Sequence, residues 1–138
     1  MNTTEIRTAL KNELLSVCDN VHDIFVYPDE FADMQSEFPY ITLILNQISF
    51  EGGTKRGIRN ISIIGIVKGN NDDLMEKRDK LEADIFTKLY KNCNVTCNII
   101  DIESQNIFKP FGLEAGIFPP YAGTLINIQV PETMVSIS

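Results

Sequence analysis

The stretch from residue 40 to residue 68, YITLILNQISFEGGTKRGIRNISIIGIVK, holds two β-rich runs joined by a glycine-containing turn. Its start, Tyr40 to Leu45, is apolar at nearly every position, which is typical of a strand covered on both faces. The run from Asn46 to Phe50 alternates and predicts a half-exposed strand. Because the cluster from Glu51 to Gly57 places glycines where positive φ costs least, we predict a long β-hairpin.

Amphipathic helices are predicted on either side of this hairpin. The first covers residues 3–18, with Asn2 and Glu5 as a capping pair. The second covers residues 72–92, where an aspartate caps the start and leucine and isoleucine recur on one face.

Three more runs complete the predicted order. Residues 23–27 and 95–102 are β-prone, and residues 121–130 alternate as the last strand. Residues 103–120 between them are predicted to be irregular, and residues 132–138 to form a loose tail.

This order predicts an α+β fold. We expect a single mixed, mostly antiparallel sheet of about five strands with two helices packed on one face, in one domain spanning residues 1–138. Strands that are apolar on both faces indicate that the second face of the sheet is also covered. A neighbouring subunit is one way to cover it.

The amino-acid composition limits the classes of function that this protein can have. A net charge of −7 argues against a protein that grips a phosphate backbone, so we expect no sequence-specific nucleic-acid binding. The three cysteines are an odd number, which favours free thiols in a reduced compartment. No apolar run reaches the ~20 residues of a membrane helix, and no secretion signal opens the sequence, so a cytoplasmic, membrane-free protein is predicted.

Few residues are suited to catalysis. His22 is the only histidine, and a surface or capping position is favoured over a general base. Cys93 and Cys97 have a spacing that could hold zinc, but no second pair of ligands follows, which favours structural thiols. Carboxylate pairs such as Asp72 with Asp73 are better explained as caps. We therefore predict no enzyme activity, no metal and no cofactor.

The segment Phe118-Pro119-Pro120-Tyr121 is stiff. Proline fixes φ and cannot donate to a ladder, so this link is expected at a margin of the sheet, where it orients the preceding residues outward.

The whole order resembles the tail terminator, or tail completion, proteins of tailed bacteriophages, the group that includes the minor tail protein U of phage lambda. The resemblance covers nearly the full chain and rests on architecture. It is carried by the N-terminal helix and by the segments IFVYPDEFADMQSEFPYITLIL, EGGTKRG, DDLMEKRDKLEADIFTKLY and GIFPPYAGTLINIQV.

That resemblance implies a structural virion protein without a cofactor. Members assemble in the host cytoplasm into rings, typically hexamers, that cap the head-proximal end of the tail tube, end its polymerisation and offer a surface to the head connector. The implied partners are further copies of the chain, the tube protein and the connector, with DNA passing through the ring. The expected contacts are Gly52, Gly53, Lys55, Arg56, Arg59, Phe108, Phe111, Phe118, Pro119 and Pro120.

Two other functions stay open. Other phage neck or head-completion proteins have a similar size and a similar arrangement of helices and strands. A regulatory module that binds a small ligand or peptide would need a pocket, for which Tyr27, Tyr40 and Tyr121 are the suggestive residues, although tyrosines at strand ends more often anchor the edge of a core.

Overall fold

The computed structural model describes residues 2–23, 38–50, 56–70, 72–91, 101–107 and 121–133, with the backbone alone for Arg56, Tyr90, Lys91, 101–107 and Thr133. Two helices and five strands lie in these ranges. In chain order they are α1 (Thr3–Leu14), β1 (Val21–His22), β2 (Tyr40–Phe50), β3 (Arg56–Lys68), α2 (Leu74–Lys91), β4 (Asp101–Ile107) and β5 (Tyr121–Thr133).

The strands form one mixed sheet in the order β1-β2-β3-β5-β4. The β1–β2 pair is parallel, and the other three pairs are antiparallel. Strands β2 and β3 form the predicted hairpin, whose register shifts at a bulge between Leu45 and Ile48. The predicted α+β class, with both helices on one face of a mostly antiparallel sheet, is confirmed.

One apolar core joins both helices to a single face of the sheet. Ile6 and Leu10 of α1 and Ile85 and Leu89 of α2 are almost completely buried in it. The sheet contributes alternate residues of its three central strands: Ile41, Leu43, Ile61, Ile63, Val67, Ala122, Ile126, Ile128 and Val130. The helices therefore pack through the stripes that their spacing predicted.

The other face of β3 is buried as well. Ile64 and Ile66 have no exposed surface, and partly buried apolar side chains pack against them: Phe38, Ile44, Tyr121 and Leu125. The continuous apolar run of β3 is therefore explained, as the sequence predicted, by the burial of both faces of this strand. Because this burial is reached within one chain, these two isoleucines do not require a neighbouring subunit as cover.

Several predicted boundaries are wrong. Helix α1 ends at Leu14 rather than at residue 18, although the capping box between Asn2 and Glu5 is confirmed. Strand β4 covers residues 101–107, most of which were predicted to be irregular. Its sequence, DIESQNI, has only two apolar residues, and pairing with β5 decides its conformation.

The predicted tail is also wrong at its start, because β5 continues to Thr133. Strand β4 begins at Asp101, opposite Gln129, so Pro131 lies where β5 has one described neighbour, and proline is tolerated at such a position. The rest of the tail, the predicted strand at residues 23–27 and most of residues 95–102 lie outside the described residues.

Candidate functional site

The ends of three strands lie side by side at one end of the sheet, next to the first turn of α1. We call this part of the sheet the hairpin arm and define it as residues 46–50 of β2, 56–60 of β3 and 129–133 of β5; residues 48–50 pair with 57–59, and residues 56–60 pair with 129–133. On β2 its residues are mostly exposed, and the Phe50 side chain is 42% exposed. Of the predicted hairpin contacts, Arg56 and Arg59 belong to the arm.

A buried ion pair holds the base of the arm. The Arg59 guanidinium on β3 donates from Nε to Glu132 Oε1 at 3.0 Å and from Nη2 to Glu132 Oε2 at 2.6 Å. Their side chains are only 14% and 3% exposed. This bidentate geometry is the strongest form of an arginine–carboxylate contact, so it fixes β3 against β5.

The same guanidinium reaches two other elements. Its Nη1 donates to the backbone oxygen of Asn46, at the β2 bulge, at 2.6 Å, and its Nη2 donates to Thr3 Oγ1 in the first turn of α1 at 3.2 Å. One side chain therefore connects β2, β3, β5 and α1.

Polar side chains line the arm on the face opposite the helices. Asn46 Nδ2 donates to Ser62 Oγ, and the Ser62 hydroxyl donates to Asn127 Oδ1, both at 2.8 Å. Gln129 Nε2 donates to Asn60 Oδ1 at 2.9 Å in the next row. Towards the arm this face of the sheet thus changes from apolar to polar.

Most of the predicted contacts cannot be placed. Gly52, Gly53, Lys55, Phe108, Phe111, Phe118, Pro119 and Pro120 lie outside the described residues. Arg56 is the first residue of β3, and its side chain is not described. Arg59 belongs to the arm, but its guanidinium is engaged within the chain instead of being presented at the hairpin tip.

Sequence reasoning missed a second buried arginine. Arg78 occupies a position in the apolar stripe of α2 and is 6% exposed. Its Nε donates to the oxygen of Gly123 on β5 at 3.2 Å, and its Nη2 donates to Glu82 Oε2 at 2.7 Å. The Thr124 hydroxyl donates to the same carboxylate oxygen at 2.9 Å. The sequence signal for this buried ion pair was an arginine in the apolar stripe of α2 with a glutamate four residues later.

Removal of the Glu82 carboxylate should destabilise the protein, since Arg78 would stay buried without its main counter-ion. We expect Glu82→Ala to lower the free energy of unfolding by about 2 kcal/mol, because Gly123 and Asp79 still accept from the guanidinium. The double variant Arg78→Met with Glu82→Leu, which replaces both charged partners by apolar chains, should stay within about 1 kcal/mol of wild type. Urea denaturation measures both variants, and an equal loss in the two would contradict this account.

His22, predicted at a surface or capping position, is half-buried at the edge of the sheet. Its ring stacks on Tyr40, with centroids 4.7 Å apart, and its Nε2 is buried. Thr42, which pairs with His22 in register, has a buried hydroxyl. Neither atom has a hydrogen-bond partner in the described part of the chain. Stacking on a buried tyrosine gives His22 a packing role.

The tyrosines are likewise packing residues. Tyr40 is 2% exposed, and Tyr121 lies 5.3 Å from the Phe38 ring, between centroids. Tyr121, the first residue of β5, packs against Ile64 and Ile66 on the second face of the sheet, whereas Tyr40, the first residue of β2, stacks on His22. Tyr27 lies outside the described residues.

Cys18 is a buried free thiol, in agreement with the sequence. Burial raises the pKa of this thiol, against a weak hydrogen bond from Sγ to the oxygen of Asn20. It is therefore a poor nucleophile near neutral pH. Cys93 and Cys97 are not among the described residues.

Within the described ranges, no group of three or more His, Cys, Asp or Glu side chains could hold a metal ion, and no helix is long and apolar enough to cross a membrane. A scan against models of known protein families and a search of curated proteins find no match.

Proposed function

We propose that this protein is a structural virion component of a tailed bacteriophage, a tail terminator that assembles into a ring on the head-proximal end of the tail tube. In this role it stops tube polymerisation and offers a surface to the head connector. The observation that carries the proposal is the hairpin arm, whose β2 residues are mostly exposed and whose base is fixed by Arg59 and Glu132. The architectural resemblance of the full sequence supports the same role.

The arm suits assembly for a physical reason. An extension that binds a neighbour loses less entropy on binding when it is already ordered. The four hydrogen bonds of Arg59 provide that order at the base, and Phe50 offers exposed apolar surface beyond it. Aromatic side chains of this kind are enriched among residues that dominate binding energy.

A matched pair of variants tests the proposal. Light scattering of the wild-type protein, alone over a range of concentrations and with tube protein, should detect a discrete ring. Phe50→Asp should reduce ring formation at least about tenfold, since a charge would be buried in the contact. Met75→Asp is the control, because Met75 on α2 is 44% exposed and Phe50 is 42% exposed.

A second variant tests the stiff link. Replacement of Pro119 and Pro120 by alanine should leave the circular dichroism spectrum and unfolding temperature nearly unchanged while it weakens the ring, because only the orientation of the preceding segment is released. A wild-type protein that stays monomeric under all these conditions, or equal assembly of Phe50→Asp and Met75→Asp, would overturn the proposed role of the arm.

A further inference from the structure

A groove lies at the end of the sheet opposite the hairpin arm. It has a volume of about 300 Å³ and is lined by α2, by the end of β3 and by residues before β2. This size is at the lower end of the range for ligand pockets, roughly 300–1,000 Å³, and suits one or two side chains. We call it the lysine groove after the residues on its rim.

The floor of the lysine groove is apolar. Val17, Phe38, Val67 and Leu81 contribute to it. Val17 and Phe38 are only partly buried, so some of their apolar surface remains open to a ligand. An apolar floor of this kind favours a ligand that carries an aliphatic or aromatic group.

The rim carries positive charge on an acidic protein. Lys68, Lys77 and Lys80 line the groove together with Asp84, so the described lining carries a formal charge of +2, whereas the whole chain carries −7. Lys68 comes from the sheet, while Lys77 and Lys80 come from α2, and Lys77 Nζ lies 3.4 Å from the backbone oxygen of Lys68. Cations thus approach the groove from two elements.

These lysines can exchange their present partners. Lys77 lies 3.4 Å from Asp73, and Lys80 lies 3.2 Å from Asp84, both as exposed pairs one helical turn apart. The Lys80 side chain is 79% exposed. Exposed pairs of this type contribute little, so a carboxylate from a ligand can replace Asp73 or Asp84 at small cost.

We propose that the lysine groove binds an acidic segment of a partner protein, with an apolar side chain on the floor and carboxylates at the lysine rim. A peptide segment carries several carboxylates and an apolar side chain together, so it can contact the lysines of both elements and the apolar floor at once. The surrounding negative charge of the protein repels an acidic ligand elsewhere, which confines it to the groove. This site goes beyond the proposed ring and does not depend on it.

Fluorescence anisotropy with the full-length protein tests the proposal. The probe is a labelled peptide with a central phenylalanine flanked on both sides by glutamates. We expect saturable binding that Lys77→Glu with Lys80→Glu weakens at least about tenfold, since the complementary charges become repulsive. Lys88→Glu, on the same helix but outside the described lining, reverses one charge where the double variant reverses two, and its affinity should stay within about twofold of wild type.

A second peptide, with serine in place of phenylalanine, tests the floor. It should bind at least about fivefold more weakly, because its central side chain buries no apolar surface. Circular dichroism verifies that each variant is folded.

Three results would overturn the proposal. They are absence of binding by folded wild-type protein, equal binding of the two peptides, and an equal loss from Lys88→Glu and the double variant. Self-association of wild-type protein that the double variant abolishes would assign the groove to a second copy of the chain instead, and would also overturn it. None of these results bears on the Phe50→Asp comparison.

Discussion

Glu132→Ala should lower the free energy of unfolding by about 3 kcal/mol, because it leaves the Arg59 guanidinium without its bidentate partner in a buried position. The Glu132 side chain is 3% exposed, so water cannot easily replace the carboxylate. The loss should be largest at the arm, where β5 and the β2 bulge are both held by Arg59. Urea denaturation measures the total, and hydrogen exchange of the arm amides shows where it falls.

The matched control removes a carboxylate from an exposed pair. Asp23 lies 3.9 Å from Lys11, with side chains 43% and 41% exposed, so Asp23→Ala should change stability by less than about 0.5 kcal/mol. A double-mutant cycle with Arg59→Ala and Glu132→Ala isolates the pair, since the double variant no longer buries an uncompensated charge. We expect the double variant to be more stable than the sum of the single losses predicts.

The interaction energy between Arg59 and Glu132 should also depend little on salt concentration. Screening weakens exposed pairs strongly and buried pairs little, so the coupling energy should persist in high salt. A loss below about 1 kcal/mol for Glu132→Ala, or a coupling that vanishes with salt, would show that the pair does not hold the arm.

Gly65→Val should cost about 3 kcal/mol, through a clash between β3 and α2. A Cβ at this position would lie 2.7 Å from Leu81 Cδ2 and 3.3 Å from Thr124 Cγ2. Leu81 is 5% exposed and Thr124 is fully buried, so neither can move aside without disturbing the core. Valine favours strands, which offsets a small part of the cost. Thermal and urea unfolding measure the net effect.

Gly57 on the same strand provides the control. A Cβ there would approach Ile48 at 2.8 Å and Phe50 at 3.0 Å, which is also close. Those side chains belong to the more exposed hairpin arm and can shift, so Gly57→Ala should cost less than about 1 kcal/mol. Leu81→Ala should partly rescue Gly65→Val by making room for it. Equal costs at the two glycines, or no rescue, would contradict close packing at Gly65.

The elements that the sequence predicted well are those with a strong local pattern. The hairpin follows from its apolar runs and glycine turn, and the helices follow from their apolar stripes and from the capping pair of Asn2 with Glu5. The polar strand β4 has no such pattern, and residues 103–107 of it were predicted to be irregular. The boundary at Pro131 was set too early because proline ends many strands, whereas here the proline is tolerated beyond Gln129, the last residue of β5 that pairs with the described part of β4.

The candidate site was less predictable because its contacts do not follow from a local pattern in the sequence. Arg59 was expected to be available to a partner because it follows a charged turn, but it pairs with Glu132, 73 residues away in the sequence. Arg78 lies in the apolar stripe of α2, and the sequence made clear that this stripe is buried. The sequence did not show that Arg78 would find a hydrogen-bond acceptor on β5. The lysine groove combines two elements with the residues before β2, and no local pattern indicated that they would meet.

By itself, the sequence determined the α+β class, the hairpin and the faces that the helices bury, because periodicity and turn residues act over a few neighbouring positions. Only the tertiary structure decided the partner of Arg59, the need for glycine at position 65 and the convergence of three lysines on one groove. Each depends on contacts between segments far apart in the chain, which the register of the sheet and the packing of α2 bring together.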